Sequence, residues 1–136
     1  LDYDSSGLIF MTNDGEFANF LMHPKNQVIK TYAVSAKGEI TEEIRQKLEN
    51  GVDIGGYITE KAQLDNIINN DDGKCSVEIS IKEGKNRQVR KMFDAVGIRV
   101  YMLMRISIGP ISLEDLKKCR YRSLNQKELS SLGYNK

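Results

Sequence analysis

The sequence predicts an α+β fold in which helices pack on a mixed, mainly antiparallel sheet. Segments with strand-like patterns recur along the chain between segments with helical periodicity, and many neighbouring segments are spaced as in hairpins. No repeat, low-complexity tract or Pro/Gly/Ser-rich linker interrupts the 136 residues. A single compact domain over residues 1–136 is therefore expected.

The segment after residue 7 is predicted to form a short buried strand followed by a helix. Residues 8–11 are an uninterrupted apolar run that follows turn-forming residues. Asn13 is expected near the start of the helix, because Glu16 stands three residues later, as in a capping box. His23 ends the helix, since a residue that precedes proline avoids the helical region.

The remaining elements alternate between strand and helix patterns. Val77, Ile79 and Ile81 lie on one face of residues 76–82 and polar side chains on the other, which is typical of a strand with one wet face. The other predictions are strands at residues 28–36 and 100–108 and helices at residues 41–51, 87–96 and 126–132.

Composition excludes several classes of protein. The apolar fraction of 40% and the charged fraction of 29% are near the averages for soluble globular domains, so disordered and fibrous classes are excluded. No apolar run approaches the roughly 18 residues that cross a bilayer, and the N-terminus carries no signal pattern, so a cytoplasmic protein with no membrane partner is expected. Cys75 and Cys119 have no second cysteine or histidine at metal-ligand spacing, so no metal site is expected and buried packing is their default role.

The formal net charge of +1 conceals an uneven distribution of charge. Acidic residues gather in residues 39–49 and 65–72, and residues 117–122 carry four basic side chains. The densest basic run is residues 82–91, which hold one acid, Glu83, against Lys82, Lys85, Arg87, Arg90 and Lys91. A protein with such a one-sided basic surface can hold a polyanion through local phosphate contacts.

Arg90 stands out within this basic run. Its helix has an apolar stripe facing the core, formed by Val89, Met92, Phe93 and Val96. Arg90 lies about 100° round from Val89, at the border of that stripe, where its guanidinium can project into a cleft. On charge alone, a solvated basic face is the simpler interpretation. The alternative makes Arg90 a partly buried cation that needs an anionic partner.

Residues 83–93 (EGKNRQVRKMF) resemble the third motif of the RsuA-type bacterial rRNA pseudouridine synthases. Residues 1–8 (LDYDSSGL) resemble the first motif of that family, normally Gly-Arg-Leu-Asp-x-x-Ser/Thr-Ser/Thr-Gly-Leu, and residues 30–32 (KTY) resemble the second. Residues 12–15 and 108–110 are also similar to family strings, so the resemblance covers nearly the whole chain. It implies the pseudouridine synthase catalytic fold, the isomerisation of a specific uridine in ribosomal RNA, and no cofactor of any kind.

The resemblance implies a catalytic trio of Asp2, Tyr32 and Arg90. Asp2 would be the essential aspartate, acting on ribose C1′ or C2′ or on base C6, Tyr32 the ring that packs on the target uracil, and Arg90 the partner of Asp2. Each role suits its residue type, because the aspartate must be ionised and a nearby guanidinium favours its charged form. The side chains assigned to RNA phosphates are Lys30, Lys85, Arg87, Lys91 and Arg105.

The chain also departs from the family pattern. The Gly-Arg that normally precedes Leu1 is missing, as is the small S4-like RNA-binding domain that usually precedes the catalytic domain. The chain is therefore expected to be a catalytic domain that lacks its start, with Asp2 one residue from a chain end, where fraying is common.

Two other functions are compatible with parts of the sequence. A non-catalytic RNA-binding module would need the basic helix but would have no use for an aspartate facing Arg90 and Tyr32. A hydrolase could use Ser5 or Ser6 with His23, although neither serine lies in a nucleophile-elbow pattern.

Overall fold

The computed structural model describes residues 5–12, 14–23, 26–112 and 124–133. The strands are β1 (Ser6–Gly7), β2 (Lys30–Lys37), β3 (Gln63–Asn69), β4 (Lys74–Ile81), β5 (Arg99–Ile108) and β6 (Ile111–Ser112). The helices are α1 (Gly15–Met22), α2 (Glu42–Asn50), α3 (Gln88–Ala95) and α4 (Gln126–Ser131).

The strands form one mixed sheet with the order β1-β5-β2-β4-β3, and β6 pairs with β5. Only the β1–β5 pair is parallel among the described strands, while β2 is antiparallel to both of its neighbours. The prediction of an α+β fold with a mainly antiparallel sheet is therefore confirmed. None of the described helices is long and apolar enough to cross a membrane.

The main core lies between one face of the sheet and helices α2 and α3. The predicted stripe of α3 is buried there through Val89, Met92 and Phe93, the last two with no exposed surface. Burying a side chain of that size stabilises the fold by roughly 1.5–3 kcal/mol. Alternation along β4 supplies the facing layer of Val77, Ile79 and Ile81, as the sequence predicted.

A second, smaller core lies under the other end of the molecule and joins α1 to α4. It contains Leu8, Phe17, Val28, Ile108, Ile111 and Leu132. The rings of Phe10 and Phe17 stack at its edge with centroids 6.2 Å apart. This cluster anchors the segment that follows β1, so the N-terminal motif is attached to the body of the domain at this end.

The predicted strand at residues 8–11 is wrong. Pairing in this region is limited to β1, and the chain then leaves the sheet. Leu8 is buried, but Ile9 is 54% exposed and Met11 90% exposed, so this run does not form the predicted buried strand. An apolar run alone does not make a strand when the pairing edge is absent.

Two further differences concern α1 and β3. The N-cap of α1 is Asp14, whose carboxylate accepts hydrogen bonds from the backbone amides of Glu16 and Phe17 at 3.0 and 3.3 Å, while the predicted cap Asn13 lies outside the described residues. Strand β3 was not predicted. Leu64 is the one buried side chain of β3, and Asn66, with a φ of 55°, interrupts the strand. The sequence of β3 therefore shows no period-2 alternation of apolar and polar residues.

Candidate active site

A cleft of about 330 Å³ opens at the end of the sheet where β2 begins and β4 ends. This volume is at the lower end of the range of roughly 300–1,000 Å³ for small-molecule sites. The described residues that line it are Ser5, Lys30, Tyr32, Ile81, Leu103, Arg105 and residues 84–89. Segments from all three sequence motifs therefore meet around one opening.

Tyr32 forms part of the cleft wall and is fixed by the sheet. In the antiparallel register it stands opposite Ile79 of β4 and Arg105 of β5. Directly opposed residues share a face of the sheet, so the half-buried ring has an apolar neighbour on one side and a guanidinium on the other. Such a surface can stack against a flat heterocycle while its cationic side attracts an anionic ligand.

The charged side chains on the described cleft wall are all cationic: Lys30, Lys85, Arg87 and Arg105. Burial lowers the pKa of Lys30 from its ordinary value of 10.5, and the positive charge of Arg105 lowers it further. Lys30 and Arg105 thus repel each other. An anion bound between them would relieve this repulsion, as expected for a phosphate site.

Strand β1 is held against β5 by a very close backbone approach at Gly7. A Cβ at this position would lie 2.2 Å from the carbonyl oxygen of Arg105, and the φ of Gly7 is 116°. The backbone amide of Leu8 donates to the Arg105 carbonyl oxygen at 2.8 Å, and Arg105 Nε donates back to the Leu8 carbonyl oxygen at 2.8 Å. Only glycine fits here, which explains the Ser-Gly-Leu string of the first motif.

Arg105 therefore has a role that sequence reasoning missed. It was predicted to bind RNA phosphate, and it does lie on the cleft wall. Its Nε, however, donates to the backbone of the first motif, so the side chain also positions that motif. The phosphate contact stays a prediction.

A buried carboxylate supports the basic loop between β4 and α3. Glu83 is 3% exposed and accepts hydrogen bonds from Tyr57 Oη at 3.1 Å and Gln88 Nε2 at 3.1 Å, and from the backbone amide of Glu60. Gln88, also 3% exposed, accepts from the backbone amide of Lys85 at 3.0 Å. In the sequence Glu83 was counted only as the lone acid of a basic run, because charge patterning carries no information on burial.

Helix α3 begins directly after this loop, at Gln88. Arg87 is its N-cap and adopts a left-handed backbone with a φ of 52°, which is uncommon for a residue other than glycine. Left-handed conformations of this kind cluster at functional sites. The conformation turns the chain sharply between the loop and the helix, and the Arg87 side chain lies on the cleft wall.

Three predicted site residues lie outside the described cleft lining. Arg90 is half-buried on α3, next to the lining residue Val89, and its Nε has no exposed surface. Lys91 is exposed on the same helix. Asp2 lies outside the described residues, as do the basic side chains of residues 117–122 and Cys119, whereas Cys75 is buried and unpaired with any other cysteine.

The arrangement of serine and histidine does not support a hydrolase. Ser5 Oγ has no hydrogen-bond partner among the described residues, so none of them acts as its base. His23 stands at the C-terminal end of α1, away from the residues that line the cleft. A serine nucleophile needs a base such as histidine within hydrogen-bonding distance, so the described residues give no support to the hydrolase interpretation.

Comparison with known proteins gives consistent matches. The model of a family described as RNA pseudouridylate synthase matches residues 1–95. The chain is 42% identical over 136 residues to "Ribosomal large subunit pseudouridine synthase B" of Bacillus subtilis, covering 97% of this chain and 54% of that protein. It is 35% identical over 134 residues to the protein of the same name from Pseudomonas aeruginosa, covering 98% of this chain and 35% of that one.

A solved structure titled "Crystal structure of pseudouridylate synthase" is similar to this fold. The TM-score is 0.85 at 34% sequence identity, over 97% of this chain and 56% of the solved one. The chain thus spans about half the length, or less, of these relatives.

Proposed function

Since this chain belongs to the RNA pseudouridylate synthase family, we propose that it forms catalytic machinery that isomerises a specific uridine of ribosomal RNA to pseudouridine in the cytoplasm. The observation that carries the proposal is the family match over residues 1–95, which includes all three motifs. Relatives named for the large ribosomal subunit favour its RNA as the substrate.

In this proposal Asp2 is the essential aspartate. Ser5 lies on the cleft wall, and β1 is fixed to β5 directly after it. A fully extended chain covers at most about 3.6 Å per residue, so the three-residue connection from Ser5 to Asp2 spans at most roughly 11 Å. The first motif can therefore bring its carboxylate to a uridine in the cleft, and the same distance allows a guanidinium from α3 to be its partner.

Tyr32 and Arg90 complete the catalytic trio in this proposal. Tyr32 would hold the detached uracil by stacking, which grips the ring but permits it to turn in its own plane. Arg90 would keep Asp2 ionised and aimed through a fork of two hydrogen bonds. The buried Nε of Arg90 supports a positioned guanidinium over a solvated one.

The reaction requires no external reagent, which suits a site made of these side chains. The N1–C1′ bond breaks, the base turns, and C5 joins C1′, while one proton leaves C5 and one is gained at N1. Asp2 would attack C1′ or C6 as a nucleophile, or take the C2′ proton as a base; all three routes need its charged form. A uridine within folded RNA must also leave its stack to reach the cleft.

The cationic wall would position the RNA backbone. Lys30, Lys85, Arg87 and Arg105 line the cleft together, and Lys91 lies on the exposed face of the following helix. Contacts of this kind fix register and orientation and make binding strongly dependent on salt concentration. They do not read sequence, so the choice of uridine depends on RNA shape or on further contacts.

The test is the Asp2→Asn variant of the full-length protein, with Asp4→Asn as the matched control. Each change removes one carboxylate, and the two positions lie in the same short segment. Unmodified large-subunit rRNA is incubated with each variant and treated with a reagent that marks pseudouridine. Asp2→Asn is expected to abolish the mark while RNA binding persists, and Asp4→Asn to retain it.

Substantial turnover by Asp2→Asn would exclude this aspartate as the acting group. RNA binding by the wild-type protein without any new pseudouridine would favour the alternative, a non-catalytic RNA-binding module. A deletion strain identifies the substrate in the same way, because the target uridine loses its mark in total rRNA.

A further inference from the structure

Tyr57 contacts the basic loop between β4 and α3 through both its hydroxyl and its aromatic ring. Its hydroxyl donates to Glu83 Oε2 at 3.1 Å, and Lys85 Nζ lies 4.6 Å from its ring centroid. We propose that Tyr57 is a positioning residue that fixes where the Lys85 ammonium meets the RNA backbone. The inference rests on the proposed function, since it assigns Lys85 to an RNA phosphate.

The hydroxyl of Tyr57 is held by the buried carboxylate of Glu83. Glu83 also accepts from Gln88 Nε2 at 3.1 Å and from the backbone amide of Glu60. Burial raises the pKa of Tyr57, and the hydrogen bond to Glu83 raises it further, so the phenol stays a donor across the physiological range. The position of the ring is thereby set by the interior of the domain.

The two ends of Lys85 are held separately. Its backbone amide donates to Gln88 Oε1 at 3.0 Å, and its ammonium rests over the Tyr57 ring. A lysine stem loses rotamer freedom when it binds a phosphate, so prior ordering of the stem strengthens binding without any new contact. An exposed cation over a tyrosine face accounts for roughly a two- to five-fold change in an equilibrium.

Tyr57 acts through Lys85 in this arrangement. Lys85 lies on the described cleft wall, whereas Tyr57 is absent from that lining. The loop that carries Tyr57 is stabilised independently, because Asp53 Oδ1 accepts from the backbone amides of Gly55 and Gly56 at 2.9 and 2.8 Å. The loop therefore holds the Tyr57 ring against Lys85, although Tyr57 itself does not line the described part of the cleft.

A double-mutant cycle tests this role. Binding of the full-length protein to an unmodified transcript of large-subunit rRNA is measured for Tyr57→Leu, Lys85→Ala and the double variant, and kcat and KM for pseudouridine formation are measured in parallel. The control is Tyr101→Leu, since Tyr101 is 48% exposed and carries Lys74 Nζ 5.7 Å from its ring centroid. Lys74 stands opposite Lys37, at the far end of β2 from the cleft.

Tyr57→Leu is expected to weaken binding roughly two- to five-fold and to raise KM with little change in kcat. In the Lys85→Ala background it should cause no further loss, and Tyr101→Leu should leave binding unchanged. If Tyr57→Leu does not fold, Tyr57→Phe replaces it in the same cycle, because that variant keeps the ring and loses only the bond to Glu83.

Losses that add in the double variant would overturn the inference, because Tyr57 would then contact the RNA itself. Unchanged binding by the single variant would also overturn it. If the coupling is present but the wild-type protein makes no pseudouridine, the proposed function fails and the role of Tyr57 in ordering Lys85 stands.

Discussion

The substitution Gly7→Ala tests whether docking of β1 on β5 positions the first motif. The new Cβ would lie 2.2 Å from the carbonyl oxygen of Arg105 and 2.5 Å from its backbone nitrogen. Both atoms belong to the backbone of a paired strand, so neither can rotate away as a flexible side chain would. The strand must therefore move away from β5.

The magnitude follows from the contacts that would be lost. A side chain at a φ of 116° costs roughly 1–3 kcal/mol of strain even without the collision. Undocking instead breaks the two hydrogen bonds that join Leu8 to Arg105, at about 1 kcal/mol each. Since β1 contains only Ser6–Gly7 and pairs with β5 alone, the main core is untouched and the cheaper response is undocking.

Gly7→Ala is expected to lower activity while the protein stays folded. The free energy of unfolding should drop by roughly 2–5 kcal/mol, because undocking removes the two hydrogen bonds and part of the burial of Leu8 in the second core, while the main core is retained. Turnover should fall by about 100-fold or more, since a displacement of about 1 Å at a reacting group has an effect of that size. Urea unfolding and pseudouridine formation on unmodified rRNA measure the two quantities.

Gly73→Ala is the matched control. Gly73 also has a positive φ, 82°, but nothing lies within 4 Å of its Cβ position. This variant should lose roughly 1–2 kcal/mol from backbone strain and keep its activity. The reasoning is refuted if Gly7→Ala turns over RNA as fast as Gly73→Ala while both are folded.

The remaining predictions concern charge and packing. Arg90→Lys should lower kcat more than Lys85→Ala does, because an ammonium cannot reproduce the planar fork of a guanidinium. Steady-state kinetics of both variants measure this difference in kcat. Equal effects would indicate that Arg90 only contacts an RNA phosphate. RNA affinity should decline as the pH rises toward 10.5, the ordinary pKa of lysine. Burial and Arg105 lower the pKa of Lys30, so Lys30 loses its charge at a lower pH than an ordinary lysine does. The decline should be shallower for Lys30→Arg. Affinity is measured against pH with an alkali-resistant 2′-O-methyl oligoribonucleotide, and identical affinity–pH curves for the two proteins would contradict the prediction. Ile79→Ala should cost about 2–5 kcal/mol of unfolding free energy, since Ile79 has no exposed surface, and urea titration checks the value.

Local sequence signals predicted the elements that have local causes. Helix α2 begins after the cap Thr41, whose Oγ1 accepts from the backbone amide of Ile44 at 3.2 Å, and ends at Gly51, as its pattern indicated. Strand β4 has the alternation that predicted it, β2 and β5 form at the segments predicted to be strands, and α3 buries the expected stripe. In each case the signal that predicted the element lies within a few residues along the chain.

Features that depend on distant partners were not predictable in this way. Residues 8–11 are apolar but find no pairing edge, and β3 is polar but finds one beside β4. Burial of Glu83 depends on Tyr57 and Glu60, which come from a loop more than 20 residues earlier. The motifs identified most of the residues of the cleft wall, whereas the support beneath that wall is absent from the motif pattern.

The geometry of the cleft depends on one irregularity in the sheet. Thr31 pairs with Ser107, but the next residue, Tyr32, pairs with Arg105, so the register between β2 and β5 shifts by one at this point. Without the shift Tyr32 would stand opposite Ile106, and the Arg105 side chain would belong to the other face of the sheet. A bulge of this kind redirects side chains beside functional sites. It brings the aromatic ring, the guanidinium and, through Leu8, the first motif to one place, and strand patterns specify no such register.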